Sequence, residues 1–122
     1  RDVGGAVEVE IYRKNDKYHG KIVWLKEPNY RENDRKGMAG KPRVDRENPD
    51  PAMRERPLMN MDLFWNCEFT DNNRWEKGVL YDPLKGRSYK CIISMDTHDR
   101  LRVRGYAGME LLGKTIFLKR IS

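Results

Sequence analysis

Met61-Asp62-Leu63-Phe64-Trp65-Asn66-Cys67-Glu68-Phe69-Thr70-Asp71-Asn72-Asn73-Arg74-Trp75-Glu76-Lys77-Gly78-Val79-Leu80-Tyr81-Asp82 is the stretch that decides the fold. From Met61 to Phe69 the chain alternates, placing Leu63, Trp65, Cys67 and Phe69 on one side, which is the period of two expected of a strand with one buried face. Asp71-Asn72-Asn73 is turn chemistry, because Asn and Asp tolerate left-handed backbone and bond back to their own main chain. Arg74 to Asp82 then forms a second run carrying Trp75, Val79, Leu80 and Tyr81. Two such runs joined by so short a link make an antiparallel hairpin.

The same pattern extends in both directions. Upstream, Ala6 to Lys14 alternates Val7, Val9 and Ile11 against Glu8, Glu10 and Tyr12, Asn15-Asp16 turns the chain, and Lys17 to Leu25 returns it. Downstream, Pro83-Leu84-Lys85-Gly86 leads into a strand over Arg87 to Met95. Thr97-His98-Asp99 leads into another over Arg100 to Tyr106, and residues 107–113 connect to a last one over Lys114 to Ile121. Seven short strands joined mainly by hairpin-length links predict an all-β, up-and-down antiparallel barrel in a single domain, residues 1–122. A sandwich would need links that cross between sheets.

One segment breaks the meander. Across residues 26–57, prolines, glycines and charges of both signs replace alternation, and a loop this long in a compact domain is usually a binding loop, a lid or a disordered segment. Within it, Asp50 as N-cap and Pro51 at the first helical position predict a short helix that Pro57 ends.

Composition excludes several classes. Charged residues make up 36% and hydrophobic ones 38%, yet three Trp, six Tyr and three Phe supply the bulky core that disordered chains lack. No apolar run approaches the roughly 18–20 residues that span a bilayer, and Arg1-Asp2-Val3-Gly4-Gly5 has no signal-peptide features, so the chain reads as soluble. The strand assignment separates Cys67 and Cys91 by two inter-strand steps, roughly 9–10 Å between Cα atoms. That exceeds the roughly 7 Å a disulfide allows, so two free buried thiols are expected.

Four ordered motifs carry a family resemblance: Gly20-Lys21-Ile22-Val23-Trp24-Leu25-Lys26-Glu27-Pro28, Asp45-Arg46-Glu47-Asn48-Pro49-Asp50 with Arg54-Glu55-Arg56-Pro57-Leu58, Trp75-Glu76-Lys77-Gly78-Val79-Leu80-Tyr81-Asp82-Pro83, and Val103-Arg104-Gly105-Tyr106-Ala107-Gly108. Together they resemble the family of unknown function numbered 2147, nearly end to end. The resemblance implies a lipocalin-like, or calycin, barrel, a periplasmic or secreted bacterial setting, and no enzyme. It also implies an N-terminal strand with a Gly-x-Trp motif, an eighth strand that this sequence does not show, against whose tryptophan Arg120 would pack.

An eight-stranded barrel either fills with side chains or holds one small ligand. Alternation points Val7, Val9, Ile11, Ile22, Trp24, Leu63, Trp65, Cys67, Tyr89, Cys91, Ile93, Leu101, Val103 and Leu118 inward. Of these, Ile22, Trp24, Leu63, Trp65, Tyr89, Ile93, Val103 and Leu118 are the candidate lining of a pocket for a small apolar or amphipathic molecule. At its mouth, Asn48, Asp50, Arg54 and Arg56 either meet a ligand or anchor the loop through an Asp45 or Asp50 pair with an arginine.

A second reading uses charge. The net charge is +6, and Arg100, Arg102 and Arg104 alternate onto one face, a ladder that could meet an anionic envelope component or a protein partner. The bland alternative is a solvated strand face. Nucleic acid is not expected, since aromatics interleaved with the ladder are lacking except Tyr106. His19 and His98 lack zinc-ligand spacing. Neither a phosphate loop nor a nucleophile elbow is present. No catalytic residue, metal ligand or cofactor site is therefore assigned, and oligomeric state is left open.

Overall fold

Alternation becomes pairing in the computed structural model, which describes residues 1–107 and 109–121. Seven strands run in sequence: β1 Val7–Lys14, β2 Lys17–Leu25, β3 Asp62–Thr70, β4 Arg74–Asp82, β5 Arg87–Thr97, β6 Arg100–Ala107 and β7 Met109–Lys119. Each pairs antiparallel with the next, giving one sheet in the order β1 to β7. The predicted up-and-down, all-β architecture is the one observed. Asn15 and Asp16, both at positive φ (54° and 61°), form the mirror-image turn whose twist suits a hairpin.

The sheet curls so that its two ends approach through residues 1–3. Asp2 bridges Leu118, the Val3 amide donates to the Phe117 carbonyl at 3.0 Å, and the Lys119 amide donates to the Arg1 carbonyl at 2.7 Å. The Asp2 carboxylate then accepts from the amides of Gly4, Ala6 and Val7, and this turn delivers the chain into β1. Residues 1–3 thus lie against β7 where the resemblance places an additional strand.

Most strand ends fall within one or two residues of the sequence reading, and two differences are larger. β7 begins at Met109, not Lys114, because the β6–β7 ladder continues through Tyr106↔Gly113 and Ala107↔Met109. Most of the predicted 107–113 connection is therefore strand, and Gly108, within it, lies outside the described residues. Gly113 permits the close approach: a Cβ there would sit 1.9 Å from the Gly105 carbonyl oxygen. The predicted helix near Asp50 is a single 3-10 turn, Pro51–Met53, capped as expected by the Asp50 side chain accepting from the Ala52 amide.

The larger correction concerns which side chains of β3 face the centre. Strict alternation selects Leu63, Trp65, Cys67 and Phe69. In the structure Phe64 and Cys67 are fully buried, while Phe69 is 55% exposed. Asn66 in β3 and Lys77 in β4 both adopt left-handed backbone (φ 59° and 64°). The β2–β3 and β4–β5 registers shift at these places. Such a bulge inserts an extra residue and flips the parity of everything beyond it, so inward residues fall three apart, at Phe64 and Cys67 and at Trp75 and Gly78. A further irregularity, between Glu8 and Val9, accompanies Trp24 at the surface, 38% exposed, with the Arg1 guanidinium 5.2 Å from its ring centre.

The central core comprises Phe64, Cys67, Leu80, Cys91, Ile93, Val103 and Leu118. Glycines make room for it: a Cβ on Gly20 would overlap the Phe64 ring, and one on Gly105 would fall 2.7 Å from Leu80. In the structure the excursion, the whole link between β2 and β3, runs over residues 26–61, and a second cluster joins its Leu58 and Met61 to Ile22, Leu25 and Tyr81. Leu80 and Tyr81 are adjacent in β4 and both buried. Because successive side chains of a strand point to opposite faces, the sheet is covered on both sides here, and the excursion supplies the outer cover.

Candidate ligand site

The excursion has little regular structure but is tightly fastened. Its centre is the Asp45 carboxylate, 0% exposed, which accepts from the Tyr81 hydroxyl at 2.7 Å, Arg56 Nε at 2.9 Å and Asn48 Nδ2 at 2.8 Å. An ionised carboxylate is acceptor-only, and three converging donors suit it. Burial, reinforced by the Asp45 hydrogen bond, pushes the Tyr81 phenol up to about 12. Arg54 Nε donates to the Asn48 carbonyl, and the Asn48 side-chain oxygen accepts from the Asp50 amide. Of the four residues proposed from sequence as a mouth or an anchor, Asn48 and Arg56 are therefore bonded to Asp45, and Asp50 and Arg54 to Asn48.

A second fastening lies nearer the surface. Arg46 bonds the Asp34 carboxylate through both terminal nitrogens, at 3.1 and 2.8 Å, and its guanidinium sits 3.9 Å from the centre of the Tyr30 ring. Tyr30 in turn donates its hydroxyl proton to the Val44 carbonyl and accepts from the Val44 amide. The Arg46 bonds, followed by the Met38 amide, hold the Asp34 carboxyl down at about 2. A group with a depressed folded-state pKa stabilises the folded form above its unfolded value near 4, and that contribution is lost as pH falls toward 2. We expect the side-chain carbon of Asp34 to titrate near pH 2 by NMR, with the resonances of Tyr30 and Arg46 moving together. A midpoint near 4 would mean that the pair is not formed in solution.

The second fastening borders a half-open cavity of about 500 Å³ between the excursion and the β4–β5 turn. Its apolar wall includes Tyr30, Val44, Leu58 and Leu84, and five cations (Arg31, Arg35, Lys36, Arg43 and Arg46) outnumber three carboxylates (Glu27, Asp34 and Glu47). Gly86 is essential to the packing of the turn, since at φ 63° a Cβ would fall 1.9 Å from the Glu47 carbonyl oxygen. A second, more open cavity of about 630 Å³ is bordered by Tyr12, His19, Met59, Met61 and Trp65. There the Tyr12 ring stacks on His19 at 5.0 Å and its hydroxyl donates to Asp62 at 2.7 Å.

The sequence-predicted lining is divided between these surroundings. Ile93, Val103 and Leu118 are buried in the central core, with Tyr89 and Leu63 packed against it. Ile22 belongs to the second cluster, against which Leu63 and Trp65 also pack, and Trp65 borders the more open cavity. Trp24 is at the surface. None of the eight borders the 500 Å³ cavity. Sequence reasoning missed Tyr30, Arg43 and Arg46; the available signal was an isolated tyrosine in a charged, irregular segment.

On the basic face, Arg100 lies 3.5 Å from Asp96 and its guanidinium 4.2 Å from the Phe117 ring centre. Arg104 donates to the Thr115 hydroxyl at 3.0 Å. Arg102 is exposed. Among the described residues, no group of three or more His, Cys, Asp or Glu is placed to hold a metal ion. No helix among them is long and apolar enough to cross a membrane.

An up-and-down meander curled into a barrel, with one long loop packed across it, is the lipocalin-like architecture. The structure of protein HP1028 from the human pathogen Helicobacter pylori, which belongs to the lipocalin family, is similar to it with a TM-score of 0.76 at 20% sequence identity, over 95% of this chain and 73% of that one. The chain belongs to the family described as uncharacterized proteins conserved in bacteria, DUF2147, whose model matches residues 1–120. No curated protein matches it.

Proposed function

We propose that the protein is a non-catalytic binding protein of the bacterial cell envelope, periplasmic or secreted, which takes a small amphipathic ligand with an anionic group. The observation that carries this reading is the 500 Å³ cavity beneath the fastened excursion, which combines an apolar wall with an excess of cations. Its size falls within the range of small-molecule sites. The barrel centre supports a ligand less well, because Phe64, Cys67, Leu80, Cys91 and Val103 occupy it at 2% exposure or below. The basic face also supports one less well, since Arg100 and Arg104 are turned to neighbours in their own sheet.

The probe we choose is 1-anilinonaphthalene-8-sulfonate, an amphipathic anion. It should bind saturably at one site per chain, with affinity falling at least tenfold in the Arg35→Glu/Arg43→Glu variant and unchanged in Arg102→Glu. Loss of binding in Arg102→Glu alone would transfer the function to the basic face. Binding indifferent to all three charges would overturn the cavity reading.

A further inference from the structure

The five cations on the lining of the 500 Å³ cavity are not equally engaged. Arg31 pairs with Glu27 at 2.8 Å, Arg46 with Asp34 at 2.8 Å, and Lys36 with Glu47. Each of the three carboxylates on the lining thus has its own cation, and Arg35 and Arg43 are left over. Among the described residues neither has a carboxylate partner. Arg43 donates from Nη1 to the Glu27 main-chain carbonyl at 3.1 Å, which leaves the rest of its planar fork unused, and Arg35 is exposed.

The three ion pairs cancel, so two guanidinium charges remain uncompensated at the cavity. Protonation of its carboxylates does not alter this balance near neutrality. The Arg46 bond holds Asp34 at about 2, and the Lys36 contact holds Glu47 below the usual carboxylate range. Neither histidine is on the lining. A ligand with one negative charge therefore compensates half of the excess, and a compact dianion compensates all of it. Guanidinium forks grip phosphate oxygens two at a time. A phosphate monoester offers three terminal oxygens on one centre and carries close to two charges above a second pKa of about 6. Its fourth oxygen bears the rest of the molecule, for which Val44, Leu58 and Leu84 supply an apolar wall.

We propose that the ligand is a phosphate monoester, its dianionic head held by Arg35 and Arg43 and its apolar ester group laid along Val44, Leu58 and Leu84. This rests on the cavity being the ligand site, and it adds the charge and the chemical class of the head. Binding is non-covalent, so no bond is made or broken.

Hexyl phosphate and hexyl sulfate share a tail and a tetrahedral head and differ in charge once the phosphate loses its second proton. Calorimetric titration of each into the protein at fixed ionic strength separates the effect of that charge. Hexyl phosphate should bind at least fivefold tighter at about pH 8 than at about pH 5, whereas hexyl sulfate should change less than twofold. Arg35→Gln and Arg43→Gln should each reduce the change for hexyl phosphate to twofold or less. Inorganic phosphate, the head without the tail, should bind at least tenfold more weakly than hexyl phosphate at the higher pH. Hexyl phosphate binding that ignores pH, or a pH dependence kept in either variant, would overturn the dianion assignment and leave the cavity as a site for single anions. Inorganic phosphate binding as tightly as hexyl phosphate would make free phosphate the ligand and overturn the ester. If neither hexyl compound binds or displaces 1-anilinonaphthalene-8-sulfonate, the cavity reading itself fails.

Discussion

Replacing Asp45 with alanine is expected to destabilise the protein by about 3 kcal/mol in urea denaturation and to release the excursion. The carboxylate is fully buried and serves three donors. Its loss leaves the Tyr81 hydroxyl and the Asn48 amide without their acceptor in a dry setting. An unsatisfied buried polar group costs about 1–3 kcal/mol, and breaking a buried ion pair about 3–5 kcal/mol. The Arg56 side chain is 34% exposed, so water rescues that partner and the lower part of the range applies.

Asparagine should restore part of the site. With its carbonyl oxygen toward Arg56 Nε and Asn48 Nδ2, which share one oxygen of Asp45, its amide would donate to the Tyr81 hydroxyl, so only the charge of the pair with Arg56 is lost and Asp45→Asn should cost clearly less than alanine. Tyr81→Phe, which removes one donor from a carboxylate that keeps two, should cost about 1–2 kcal/mol. The second readout is proteolysis, since the excursion is rich in arginine and lysine: trypsin should cut within residues 26–57 of Asp45→Ala much faster than in the parent, while the barrel core resists. A loss below 1 kcal/mol with unchanged cleavage would show that the excursion is held chiefly by the apolar contacts of Leu58 and Met61.

This network marks the boundary between what was legible in the sequence and what was not. Strand pairing follows from local signals, alternation and Asn/Asp turns, and those fix the meander from β1 to β7. The Asp50 cap could also be read, because an N-cap and its N1 proline are adjacent in sequence. By contrast, Asp45 and Tyr81 are 36 residues apart, and no periodicity links an aspartate in an irregular loop to a tyrosine at a strand end. The inward assignment failed within β3 for a different reason. Asn66 and Lys77 take left-handed backbone inside strands, a conformation their own identity permits but does not announce, and a single such residue exchanges inside for outside. Strict alternation points Leu63 and Trp65 inward, whereas Phe64 between them is the fully buried residue.

That exchange gives the second large effect its form. Phe64→Ala should destabilise the protein by about 4 kcal/mol, since a completely buried phenylalanine leaves a cavity that its neighbours fill only in part. Gly20→Ala should cost about 1–3 kcal/mol for the opposite reason: the new methyl would lie 2.3–2.8 Å from three atoms of the Phe64 ring, and the ring must move within an already packed core. The two costs share one object. In the Phe64→Ala background the ring is gone, so the methyl at position 20 enters vacated space, and Gly20→Ala should be neutral or slightly stabilising there. The double-mutant cycle should therefore show a coupling of about 2 kcal/mol, well beyond the few tenths found for independent sites. Additive costs would mean that Gly20 and Phe64 do not meet, and that the parity of β3 is the one strict alternation assigns, with Trp65 inside and Phe64 out.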